Sequence, residues 1–120
     1  MVFFDEIKRL VKERKEASLD YEIDVTLEYE FKKKQKALGN LVKKLREEQN
    51  LTFIALADKS EIQAAEILKL EHGTHSTHTK KKTENYLNLL ELVLLTLKCE
   101  KVVVLMKELY ELEAKIWKKK

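Results

Sequence analysis

The sequence predicts an all-α protein interrupted by one short strand near its C-terminus, on three observations. Across 120 residues there is no proline, and glycine occurs only at positions 39 and 73, so the chain lacks the turn residues that a many-stranded protein needs. Apolar residues recur three and four apart along most of its length, the repeat of a helix with one face on a core. The exception is the β-branched triplet Val102-Val103-Val104, whose composition and shortness predict a strand.

The elements follow in order. Phe3, Ile7, Leu10 and Val11 carry a first amphipathic helix over about 3–17, closed by the break and new cap at Ser18 and Asp20. Leu19, Ile23, Leu27 and Phe31 recur every four residues and predict a second helix. Its stripe is narrow, which makes 1–37 a helical arm that leans on a partner or on the following domain. From Leu38 the pattern sharpens: Leu38, Leu41, Val42 and Leu45 give one apolar face ending at Gln49-Asn50, with asparagine suited to a left-handed C-terminal residue. Thr52 offers an N-cap hydroxyl to a short helix through Leu56 and Ala57 that stops near Ser60 or Glu61. A further helix from near Gln63 carries Ile67 and Leu70 to Gly73, where glycine supplies a positive φ. After a polar stretch, 74–83, the strongest helix presents Tyr86, Leu89, Leu90, Val93, Leu94 and Leu97. The strand at 102–104 and a last helix with Leu109, Leu112, Ile116 and Trp117 complete a third segment, 98–120.

Composition narrows the function. With 44% hydrophobic and 38% charged residues, the chain is too apolar for disorder and too polar for a membrane protein. No apolar run approaches the roughly 18 residues that span a bilayer, and the start turns acidic at Asp5-Glu6, so a cytoplasmic protein is expected. Cys99 stands alone; it closes no intrachain disulfide, builds no zinc site, and is expected as a buried, inert thiol. A net charge of +3 says little by itself. The lysines, however, gather at Lys32, Lys33, Lys34 and Lys36, at Lys43 and Lys44, at Lys80, Lys81 and Lys82, and at Lys118, Lys119 and Lys120. Such runs are ordinarily solvated faces, and only their position gives them meaning.

Catalytic chemistry finds no foothold. There is no glycine-rich phosphate loop, nucleophile elbow or paired-carboxylate motif, so no enzyme and no cofactor are expected. His72, His75 and His78 lack the additional ligand and supporting groups a zinc site requires, and are read as a polar loop with no metal.

One run of residues is more specific. Leu51-Thr52, Leu56-Ala57, Ile67 and Glu71-His72-Gly73 follow without a gap, with Arg46 upstream. This resembles the Cro/CI-type (Xre, lambda-repressor-like) helix-turn-helix family over about 38–97. The resemblance implies that Arg46 and Glu71 form a structural clamp and that the helix from Gln63 enters the major groove of double-stranded DNA. Gln63, Ala64, Glu66 and Lys69 would face the DNA, with Gln63 suited to adenine and Lys69 to guanine or phosphate, while Thr52, Thr74, His75, Lys43, Lys44 and Lys80 would lie along phosphates. The chain departs from the family at Phe53, where a glutamine is usual, at Glu61, where the turn has glycine, at Ser60, and in a longer loop after Gly73.

The flanking segments resemble HigA-type antitoxins. That implies a homodimer joined through Val102, Val103 and Val104 as a paired strand and through Leu109, Leu112 and Ile116, bound to a palindromic operator as an autorepressor. It also implies a small ribonuclease toxin as partner of the N-terminal arm, against the alternative that the arm caps its own domain. A helix-turn-helix fold used for protein interaction without DNA reading, and a phage-type repressor without a toxin, stand as alternatives. No membrane partner is expected beyond a minor surface role for the basic tail.

Overall fold

The computed structural model describes residues 25–117. The helix expected over 3–17, the break at Ser18 and Asp20, and the tail Lys118 to Lys120 lie outside the described residues. Five helices follow in order: α1 (Val25–Glu48), α2 (Phe53–Ser60), α3 (Ala64–His72), α4 (Lys80–Thr96) and α5 (Val102–Ile116). No strand occurs among the described residues.

The 24-residue helix α1 organises the rest. Its inner face runs Phe31, Gln35, Leu38, Gly39 and Val42, spacings of four, three, one and three that keep one side of the rod against α3 and α5. The boundary expected between 37 and 38 therefore falls within an unbroken helix. The reason is Gln35, fully buried though polar, which joins the stripe through Phe31 to the stripe through Leu38. Its amide nitrogen donates to the His75 carbonyl at 3.0 Å.

α1 ends as expected. Asn50 adopts φ 55°, and the Leu51 N–H returns to the Arg46 carbonyl at 3.0 Å, the left-handed closure asparagine tolerates. Thr52 then caps α2 by accepting from the Ala55 N–H at 3.0 Å. Glu61, in place of a turn glycine, takes φ 58° and ψ 36°, and its N–H meets the Ala57 and Asp58 carbonyls. The turn thus keeps a left-handed conformation that costs a side-chain-bearing residue about 1 kcal/mol or more. Ser60 is buried where an apolar residue is usual, and its hydroxyl donates to the Leu56 carbonyl at 2.7 Å.

Gly73 closes α3 at φ 66°, with the Thr74 N–H bonded to the Lys69 carbonyl at 3.0 Å. The other glycine has a different role. A Cβ on Gly39 would lie 2.4 Å from the Leu70 carbonyl oxygen and 2.6 Å from that of Glu71, so its bare backbone is what lets α1 and α3 touch. Helix α4 starts at Lys80, six residues before Tyr86, because Thr79 accepts from the Lys82 N–H at 3.1 Å and opens the helix inside the polar stretch.

The C-terminal segment differs from expectation. Val102, Val103 and Val104 form the first turn of α5. β-branched residues disfavour a helix only slightly, and here the periodic burial of Met106, Leu109, Leu112 and Ile116 decides the conformation. Leu109, Leu112 and Ile116, expected at a dimer interface, are buried in the chain's own core with Phe31, Leu90 and Leu94. Trp117 is buried there as well, which removes it from any membrane-surface role, and Cys99 is half-buried rather than enclosed. No helix among the described residues is long and apolar enough to cross a membrane.

Candidate nucleic-acid interface

The two short helices α2 and α3 are joined by residues 61–63 and rest on α1, α4 and each other. Their arrangement is fixed from α1. The Arg46 guanidinium donates through Nε to Glu71 Oε2 at 2.7 Å and through Nη2 to Oε1 at 3.0 Å. A third bond runs from Nη1 to the Leu51 carbonyl at 2.8 Å. One planar fork thus ties the end of α1, the connection to α2 and the end of α3. The side chains are 13% and 3% exposed, and the hydrogen-bonded Glu71 carboxylate holds the Arg46 guanidinium above its usual value.

With its far end pinned, α3 presents its N-terminus outward. Gln63 is the exposed N-cap residue, and its side chain makes no capping bond, so its amide is available to a ligand. Ala64 is half-buried against the core and Ala65 is exposed. The helix also contributes backbone N–H groups in its first turn, where a partial positive charge collects.

Glu66 and His75 do not occupy the positions expected of free DNA contacts. The His75 imidazole is turned inward, 10% exposed, with Nε2 at 2.6 Å from Glu66 Oε2 and its ring tilted at 5.7 Å from that of Tyr86. This hydrogen bond holds the Glu66 carboxyl below the usual carboxylate range, and burial opposes the effect. Lys69 Nζ lies 3.5 Å from Glu66 Oε1, so the Glu66 carboxylate lies between a cation and an imidazole. The loop between α3 and α4 is fastened further by Gln35 to His75 and by the Thr83 hydroxyl, which donates to the Thr77 and Thr79 carbonyls.

The remaining candidates are placed less closely. Thr52 is exposed, with its hydroxyl committed to the α2 cap. Thr74 is exposed beside Gly73. Lys44 is exposed on α1; Lys43 pairs within α1 with Glu47 at 4.0 Å, and Lys80 pairs within α4 with Glu84 at 2.8 Å. The structure therefore brings Glu66, Lys69, Thr74 and His75 together, whereas Lys43 and Lys80 pair with acids one turn along their own helices. Phe53, where the resembling family has glutamine, is half-buried and packs against the core.

Sequence reading missed the His75 to Glu66 bond, because the loop sets its partners nine residues apart without a periodic signal. The close approach at Gly39 had a signal, a lone glycine inside a helical pattern. Among the described residues no three His, Cys, Asp or Glu side chains come together as a metal site. Comparison with family models, with curated protein sequences and with solved structures gave no match.

Proposed function

We propose that the chain is a sequence-specific, double-stranded-DNA-binding transcriptional regulator of the lambda-repressor-like helix-turn-helix type, acting as a homodimer and as the autorepressing antitoxin of a toxin–antitoxin pair. The observation that carries the reading is the free amide of Gln63 at the exposed start of a nine-residue helix that Arg46 pins at its other end. A rigid helix with an open N-terminus and a carboxamide at its first position suits an adenine edge in the major groove. Lys69 would serve guanine or phosphate, and Glu66 would be held from the backbone by its hydrogen bond to the inward His75. The lysines at 44 and 80–82 would supply the phosphate contacts.

The test is a mobility-shift titration of the full chain on DNA from upstream of its own reading frame. Gln63→Ala and Lys69→Ala should each weaken the specific complex about 5- to 100-fold. Lys44→Ala should instead weaken all sequences alike and reduce the salt slope by about 1. A shift unaltered by Gln63→Ala and Lys69→Ala overturns the groove assignment. Exposed Asp58 and Glu61 on and beside the turn, together with the inward Phe53, favour a second reading as a protein-interaction module. Absence of any shift at low salt would select it. Co-purification of a small basic ribonuclease encoded beside the gene tests the antitoxin reading, and its absence leaves a repressor without a toxin.

A further inference from the structure

The start of α5 carries side chains that nothing in the described chain covers. Val103 and Val104 are 76% and 60% exposed. The bonds from Leu105 N–H to the Lys101 carbonyl (3.0 Å) and from Val102 N–H to that of Cys99 (3.3 Å) carry the helical path back into the preceding turn. Glu100, Val103, Val104 and Lys107 therefore fall at positions i, i+3, i+4 and i+7 of one outward stripe. Both charged residues are exposed, and neither forms an ion pair among the described residues.

An exposed apolar residue also lies on α4. Tyr110, two turns beyond Val103, donates its hydroxyl to Glu91 at 3.0 Å, which marks this side of α5 as the one bordering α4. Leu95, one turn beyond Glu91, is itself exposed.

A stripe that reads acid, apolar, apolar, base is self-complementary under a two-fold axis. Turned about an axis between the valines, an antiparallel copy sets Lys107 opposite Glu100 of its mate and Glu100 opposite Lys107, with four valines between. A parallel copy would set Lys107 on Lys107. We propose that this face docks a second copy of the chain, α5 against α5 and antiparallel, with two interchain charge pairs fixing the register. The inference rests on the homodimer of the proposed function, uses none of its DNA contacts, and replaces the paired strand and the buried Leu109, Leu112 and Ile116 with an outward helix face.

The test is sedimentation equilibrium of the full chain without DNA. A reversible monomer–dimer equilibrium is expected. Lys107→Glu and Glu100→Lys should each raise the dimer Kd about tenfold or more by opposing like charges. The double variant, with the charges exchanged, should return Kd to within about threefold of the parent. Val103→Lys should also dissociate the dimer, and circular dichroism should report an intact fold for all four, because the altered side chains are on the surface. A chain monomeric at every concentration, a dimer indifferent to these substitutions, or a double variant as weak as the singles overturns the proposal. Binding of Val103→Lys to a duplex holding one half-site separates the two readings. If the parent chain stays monomeric, or its dimer ignores the substitutions, while half-site binding persists, only the docking face is wrong; if association behaves as expected without DNA binding, the docking face stands and the DNA reading falls.

Discussion

Replacing Arg46 by alanine removes three donors at once, two that meet Glu71 and one that meets the Leu51 carbonyl. The carboxylate left behind keeps 3% of its side-chain surface exposed, so water replaces little of what it loses. Breaking a buried ion pair from one side costs about 3–5 kcal/mol, against about 0–1 kcal/mol for an exposed pair. The burial of Glu71 puts this pair in the first class, and domains of this size hold about 5–15 kcal/mol in all. Arg46→Ala should therefore lose a fifth or more of the stability. Arg46→Lys, which keeps the charge but not the fork, should fall between at about 1–3 kcal/mol. Removing both charges with Arg46→Met and Glu71→Leu should destabilise less than Arg46→Ala alone, because no unmet charge remains. The cycle completed by the two single changes should then give a coupling of about 2 kcal/mol or more. The assay is urea unfolding followed by far-ultraviolet circular dichroism at neutral pH. A loss below about 1 kcal/mol for Arg46→Ala, or strict additivity in the cycle, would refute the clamp.

Four further outcomes are expected. Gly39→Ala forces a Cβ against two carbonyl oxygens of α3 and should cost about 1–3 kcal/mol, read as a lower urea midpoint. Glu61→Gly relieves the left-handed turn and should gain about 0.5–1 kcal/mol; a loss would mean that the side chain contributes more than its conformation costs. The depressed Glu66 carboxyl stabilises the fold above the ordinary carboxylate range, and that contribution disappears as the pH falls through its lowered value. The stability gap between the parent and His75→Phe should accordingly close in that acidic window, and a gap that stays flat there counts against the pair. Burial raises the Glu113 carboxyl, so the folded state binds the proton more readily and stability falls as the pH rises from the ordinary value to the raised one. Glu113→Gln should melt higher than the parent near neutral pH and lose that advantage in acid; equal melting temperatures at neutral pH would contradict it.

What the sequence made legible was local. The Thr52 cap, the left-handed Asn50 and the Gly73 closure each depend on a few residues whose chemistry admits few conformations, and each is present; the Arg46–Glu71 pair, 25 residues apart, was legible only through the family resemblance. The continuity of α1 was hidden because its stripe passes through a buried glutamine, and hydropathy does not count a polar side chain as core. Val102 to Val104 were misread for a related reason: local β preference is worth tenths of a kcal/mol per residue, while burying Met106, Leu109, Leu112 and Ile116 is worth about 1.5–3 kcal/mol each. At the candidate interface, Gln63 and Lys69, which the resemblance sets toward DNA, sit on exposed surface. His75, expected along phosphates, is turned inward against Glu66 and Tyr86, and the loop that carries it is tied to Gln35, which lies 40 residues away in the chain.

The unbroken course of α1 has a mechanical consequence. A helix transmits rotation along its axis, so the rod that carries Arg46 at one end and Phe31 nearer the other behaves as a crankshaft rather than a tether. Inserting a single alanine between Lys36 and Ala37 would turn everything upstream by about 100° relative to Leu38 and Val42. Phe31 and Gln35 would swing out of the core while the downstream helices kept their places. In this protein the spacing along α1 is as binding a constraint as the identity of any one residue within it.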